Sequence, residues 1–181
     1  MILRRTVLAA GGTLAAGLIA RKPRAEELDD LAKALEPIDP PVAAPDVSFV
    51  AADGSEHHLK EFSGHGMVIN LWATWCGPCI EELPSLARLS KMLAPDDIAV
   101  LPLSSDRGGA PTVQAFFQQH GITGLPILLD PRSAAIRACH ARGIPTSLIV
   151  DKRGREVARL EGSADWSTPA AAQLIKRLAS D

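Results

Sequence analysis

The run from Met67 to Ala73 is apolar on both faces except for Asn70; it leads into Trp75-Cys76-Gly77-Pro78-Cys79, and a helical apolar pattern follows from Ile80 to Leu93. A strand of that character is a central strand covered by helices on both sides. The chain must therefore build a layered α/β fold in which this strand hands two cysteines to a helix start. There the first backbone N–H groups lack intrahelical acceptors and the positive end of the dipole is near. Both effects favour thiolate over thiol at Cys76 and make it the nucleophile. Cys79, one turn further in, is placed to attack a mixed disulfide on Cys76. Two thiols at this spacing can close a small disulfide and reopen it, which is the chemistry of thiol–disulfide exchange. The structural alternative is a zinc site, which needs two more ligands. Cys139, His57, His58, His120 and His140 offer no second paired cluster, so the reading carries no metal and no cofactor beyond the redox-active pair Cys76–Cys79.

The pattern on either side completes an alternation of strands and helices. Val47 to Val50 and His57 to Leu59, separated by Asp53-Gly54-Ser55, predict an opening β-hairpin. The helix from Gly77 to Ala94 should bury Ile80, Leu83, Ala87, Ser90 and Leu93, with a kink at Pro84. Ile98 to Leu103 predicts a strand, Thr112 to His120 a helix, Pro126 to Leu129 a strand and Ser133 to His140 a helix. Thr146 to Asp151 and Glu156 to Gly162 predict a second hairpin. Thr168 then caps a last helix with Pro169 in its first turn and Leu174, Ile175 and Leu178 inward. The expected class is α/β, a mixed central sheet with helices on both faces.

Ahead of this domain the chain has a different character. Residues 1–24 hold Arg4-Arg5, an uncharged run from Thr6 to Ala20, and Arg21-Lys22-Pro23-Arg24, the pattern of a signal peptide or N-terminal membrane anchor. The arginine pair resembles a twin-arginine export signal, although Val7 stands where that motif prefers Phe; the general secretory route is the alternative. Residues 25–45 read as a linker, a short solvated helix followed by Pro37, Pro40, Pro41 and Pro45, and the folded domain should span 46–181. A chain of 181 residues with 46% hydrophobic content and a net charge of −2 fits one domain plus this appendage, and it lacks the basic excess a nucleic-acid partner requires.

Trp-Cys-Gly-Pro-Cys after a central strand, with Gly143-Ile144-Pro145-Thr146 before the penultimate one, resembles the thioredoxin superfamily. The stretch between Cys79 and Pro145 has room for the extra βα insertion of the tethered TlpA and ResA branch, and Arg142 to Ser147 and Gly162 to Trp166 look closest to TlpA. The resemblance implies a thioredoxin fold and a thiol–disulfide oxidoreductase, a reductase of protein disulfides. It implies catalytic roles for Cys76, Cys79, Glu82 and Pro145 and substrate contact at Trp75 and Ile144. Relatives of this type serve cytochrome c or cytochrome oxidase biogenesis. The implied partners are proteins bearing CxxC or CxxxC disulfides, a membrane dithiol donor and the inner membrane, which the N-terminus would reach. The implied place is the periplasmic side of that membrane and the implied state a monomer.

Each of these residues also has a plainer reading. Pro145 is either the cis-proline that faces the CxxC in this superfamily or an ordinary turn proline. Glu82 lies one turn beyond Cys79 on the same helix face, and Asn70 occupies the place where thioredoxin has a buried acid. Glu82 is therefore either the replacement proton acceptor for Cys79 or a solvated helix glutamate like Glu81. Trp75 either covers the disulfide and shapes a docking surface or packs at a strand end, and Trp72 is assigned no role. Cys139 is either inert core or a regulatory thiol. Two other functional classes stay open. Copper chaperones of the Sco type carry CxxxC and a distant His, whereas this spacing is CxxC. Thiol peroxidases need Thr where Ala73 stands.

Overall fold

The computed structural model describes residues 26–180. The expectation for residues 1–24, a signal or anchor, lies outside them. Among the described residues no helix is long and apolar enough to cross a membrane.

The elements in chain order are α1 (Glu26–Ala34), β1 (Glu36–Ala43), β2 (Ser48–Ala51), β3 (Glu56–His58), β4 (Gly66–Trp72), α2 (Gly77–Leu93), β5 (Ile98–Ser104), α3 (Gly109–His120), β6 (Leu128–Leu129), α4 (Ala134–Ala138), β7 (Thr146–Val150), β8 (Arg155–Glu161) and α5 (Pro169–Leu178). They form an eight-stranded mixed sheet in the order β1-β8-β7-β4-β5-β6-β2-β3. β4 is parallel to β5 and antiparallel to β7. Every residue of β4 is buried, as a strand apolar on both faces requires. Val68 faces one apolar cluster with Leu86, Leu89, Ile149, Trp166 and Ile175, under α2 and α5. Met67, Ile69 and Leu71 face another with Phe49, Leu103, Leu148 and Cys139, under α4. The fold is thus the expected thioredoxin-type α/β sheet. The opening hairpin pairs as expected, β2 against β3, and the extra βα unit is α3 and β6 between α2 and Pro145.

The linker expected over 25–45 is corrected by the structure. α1 buries Leu31, Leu35 lies buried just beyond it, and both join the cluster under α2 and α5. β1 then pairs antiparallel with β8, matching Glu36 with Arg159 and Ala43 with Arg155. A proline-rich stretch is extended in either case. What turns extension into a strand is the open edge of β8, whose backbone groups need partners.

The buried stripe of α2 is also wider than expected. Cys79, Glu82, Leu83, Leu86, Leu89 and Leu93 are buried, while Ile80 and Ser90 are half-buried. The helix meets two walls, the sheet below and α3 beside its first turns, so no narrow stripe satisfies it. Pro84 lies inside α2 without ending it. α5 begins as expected, with the Thr168 hydroxyl accepting from Ala171 N at 3.0 Å.

Candidate active site

Cys76 is the N-cap of α2, with Gly77 and Pro78 in the first turn. Pro suits that turn because its missing N–H has no helical acceptor there. Cys76 and Cys79 form a disulfide. Cys79 N–H points at Cys76 Sγ, 3.3 Å away, so a free Cys76 thiolate would find a backbone donor already aimed at it. The two sulfurs differ in access: Cys79 is fully buried, Cys76 retains 7% exposure and Trp75 beside it is 69% exposed. That exposure removes the core-packing reading of Trp75 and leaves a large apolar side chain on the surface next to the reactive sulfur.

The Ile144–Pro145 peptide is cis. Pro145 is buried and Ile144 half-buried, and the Ile144 carbonyl oxygen lies 3.6 Å from Cys76 Sγ. The loop is pinned at both ends. Thr146 Oγ1 donates to Gly143 O at 2.8 Å, Gly162 N donates to Pro145 O at 2.9 Å, and Arg142 pairs with Glu161 of β8. Residues 68 apart in sequence thus meet at one sulfur because β4 and β7 are neighbours in the sheet, paired from Met67 with Val150 to Leu71 with Thr146.

Glu82 is not solvated. It is 3% exposed, and three N–H donors hold its carboxylate: Asn70 Nδ2 at 2.8 Å on Oε1, and Ala164 N and Trp166 Nε1, each at 3.2 Å, on Oε2. Burial pushes its pKa above the ordinary value of 4.5, and the three donors only partly oppose that. Asn70 also donates to Ser147 Oγ at 3.0 Å, which leaves Asn70 Oδ1 buried with no partner. The i, i+3 spacing puts Glu82 on the helix face of Cys79.

Sequence reasoning missed four residues here. Trp166, Ser85 and Ser147 complete the Glu82 surroundings; Ser85 Oγ accepts from Trp166 N at 3.1 Å and donates to Glu82 O at 2.7 Å. Asp106, after β5, accepts from Thr74 N at 2.9 Å and Thr74 Oγ1 at 2.7 Å, and from Ser104 Oγ at 2.7 Å. It ties the turn before Cys76 to the neighbouring strand. Trp72, assigned no role, is fully buried and stacks on Phe117 with centroids 5.7 Å apart, in the cluster that holds Cys79. Cys139 is 1% exposed and burial pushes its thiol pKa up to about 12, which fits inert core and not a reactive thiol.

Comparison with known proteins places the chain among thiol-disulfide oxidoreductase relatives. The ResA thiol-disulfide oxidoreductase of Geobacillus kaustophilus is 31% identical over 113 residues, 61% of this chain and 63% of the relative. The chain thus spans a little under two thirds of that relative's length. A Bacteroides vulgatus structure assigned provisionally as a thiol-disulfide oxidoreductase superposes with a TM-score of 0.64 at 29% identity, covering 75% of this chain and 94% of the other. The exposed lipoprotein thioredoxin Etrx1 of Streptococcus pneumoniae gives a TM-score of 0.62 at 26% identity, covering 74% and 99%. The family model for Redoxin matches residues 41–175. A match of that extent, on a chain with this sheet and this cysteine pair, places the protein in the Redoxin family, as a TlpA/ResA-like member of the thioredoxin superfamily.

Proposed function

We propose that the protein is a thiol–disulfide oxidoreductase that reduces disulfides of protein substrates. The observation that carries this is the asymmetric pair at the start of α2, a Cys76 that keeps a sliver of exposure and has a backbone donor aimed at its sulfur, above a fully buried Cys79. The names of the relatives support the same reading. In the reduced protein the Cys76 thiolate attacks a substrate disulfide. One substrate sulfur bonds to Cys76 and the other leaves with the electron pair as a thiolate, which takes a proton from solvent. Cys79 gives its proton to Glu82 and attacks Cys76 Sγ; the Cys76–Cys79 bond forms and the second substrate sulfur departs as thiolate. Two electrons pass to the substrate, and another dithiol must return them. Trp75 and the Ile144–Pro145 loop frame the sulfur and supply the docking contacts.

Substrates bearing CxxC or CxxxC disulfides, a role in cytochrome c or cytochrome oxidase biogenesis, a membrane dithiol donor and a monomeric protein on the periplasmic side of the inner membrane belong to the same proposal. The N-terminal sequence, read as an export signal or anchor, supports the location. Cys79→Ser is expected to trap substrates as mixed disulfides on Cys76, to be identified by mass spectrometry, while Cys76→Ser traps none. Equal trapping by both variants, or none by either, would sink the proposal. A redox titration followed by Trp fluorescence gives the direction of electron flow; a potential above that of the substrates would make the protein an oxidant.

A further inference from the structure

Glu82 has to exchange a proton with solvent once per cycle, yet its carboxylate is buried and the face around Cys76 is the one a substrate protein would cover. A cleft of about 420 Å3 opens elsewhere, between α2 at Glu81, Glu82, Ser85 and Arg88 and the segment from Ser163 to Asp165 that follows β8. Glu82 and Ser85 are the buried members of that wall, and Glu82 Oε2 faces the same segment, bonded to Ala164 N. Trp75, Cys76, Ile144 and Pro145 do not line the cleft. Glu81, Arg88, Ser163 and Asp165 are all exposed, so the mouth of the cleft is open to water. The groups that hold the Glu82 carboxylate are all uncharged, Asn70 from β4 and Trp166 and Ala164 from the segment after β8, and Cys79 lies one turn before Glu82 on the same helix.

We propose that this cleft is the proton route of Glu82, a second opening through which the carboxyl exchanges with water while a partner occupies the cysteine face. The inference rests on the reading of Glu82 as proton acceptor for Cys79. When Cys79 has given up its proton and closed the disulfide, the proton sits on Glu82 and leaves past Ser163 to water. When the dithiol is restored, a proton returns the same way. Electron transfer and proton transfer would then use different faces of one molecule.

The test follows the Glu82 side-chain carboxyl carbon by NMR in the full chain through a pH titration. In the oxidised protein, and in a Cys79→Ser mixed disulfide with insulin as the probe substrate, the resonance is expected to move with pH in fast exchange. Ser163→Phe, which fills the cleft from the loop side, should slow that exchange at least tenfold in both. Arg88→Trp fills it from the helix side and serves if the first variant does not fold. Unchanged exchange in the filled variants overturns the proposal, as does a tenfold slowing produced by bound insulin alone, because the route would then run through the cysteine face. Glu82→Gln separates this from the underlying reading. If it leaves the rate of mixed-disulfide resolution unchanged, the role of Glu82 fails and the cleft with it; if it slows resolution while the filled variants exchange freely, the cleft alone fails.

Discussion

Glu82 is a carboxylate whose surroundings pull in opposite directions: three donors favour the charged form, burial opposes it, and burial prevails. The folded protein therefore binds this proton more tightly than the unfolded chain does. Stability contributed by the group is complete below the ordinary carboxyl pKa of 4.5 and is lost as pH rises through the raised folded value. Urea unfolding of the oxidised protein should show stability falling across that window, and Glu82→Gln should flatten the fall. A slope that survives in Glu82→Gln would assign it to another group. Cys139 provides the opposite case, a group buried out of reach of its own chemistry. With its thiol pKa near 12, native oxidised protein should not react with an aromatic disulfide reagent at mildly alkaline pH, and unfolding should release one reactive thiol. Cys139→Ser, which buries a hydroxyl among apolar side chains, is expected to cost about 1–3 kcal/mol in the same unfolding experiment.

At the scale of elements, what matters is how β4, α2 and the loop before β7 are held in register at one sulfur. Asp106 does part of this from outside, by fixing Thr74 two residues before Cys76. Asp106→Ala leaves Thr74 N–H without its acceptor. It should cost about 2 kcal/mol in stability and slow attack by Cys76 on a disulfide, read by thermal unfolding and by single-turnover kinetics. An unchanged attack rate would reduce Asp106 to a structural tie. The strand–cysteine–helix core was legible in the sequence because it is local: a doubly apolar strand, Pro in a first helical turn and helical spacing all lie within one stretch. The same holds for the Thr168 cap. Asp106, Ser147 and Trp166 were not legible, because their partners lie 32, 77 and 84 residues away and only the sheet order brings them together. Glu82 stood between two readings for the same reason. Its spacing from Cys79 was visible, but whether water reached it depended on the segment after β8.

Across the whole molecule the N-terminal stretch has the largest unexpected effect. Read as a linker it would be dispensable; in the fold it supplies Leu31 and Leu35 to the core and covers the edge of β8. A chain beginning at Asp46 should therefore lose about 3–6 kcal/mol, from two buried leucines at about 1.5–3 kcal/mol each, and should associate through the bared strand. Urea unfolding and light scattering of the shortened protein check both effects, and unchanged stability would restore the linker reading. The composition of β1 has a further consequence. It now forms the outer edge of the sheet, and Pro37, Pro40 and Pro41 have no N–H to offer a visiting chain. At the opposite edge β3 is only three residues long. Neither rim invites strand addition, so copies crowded together are protected from sheet-to-sheet polymerisation.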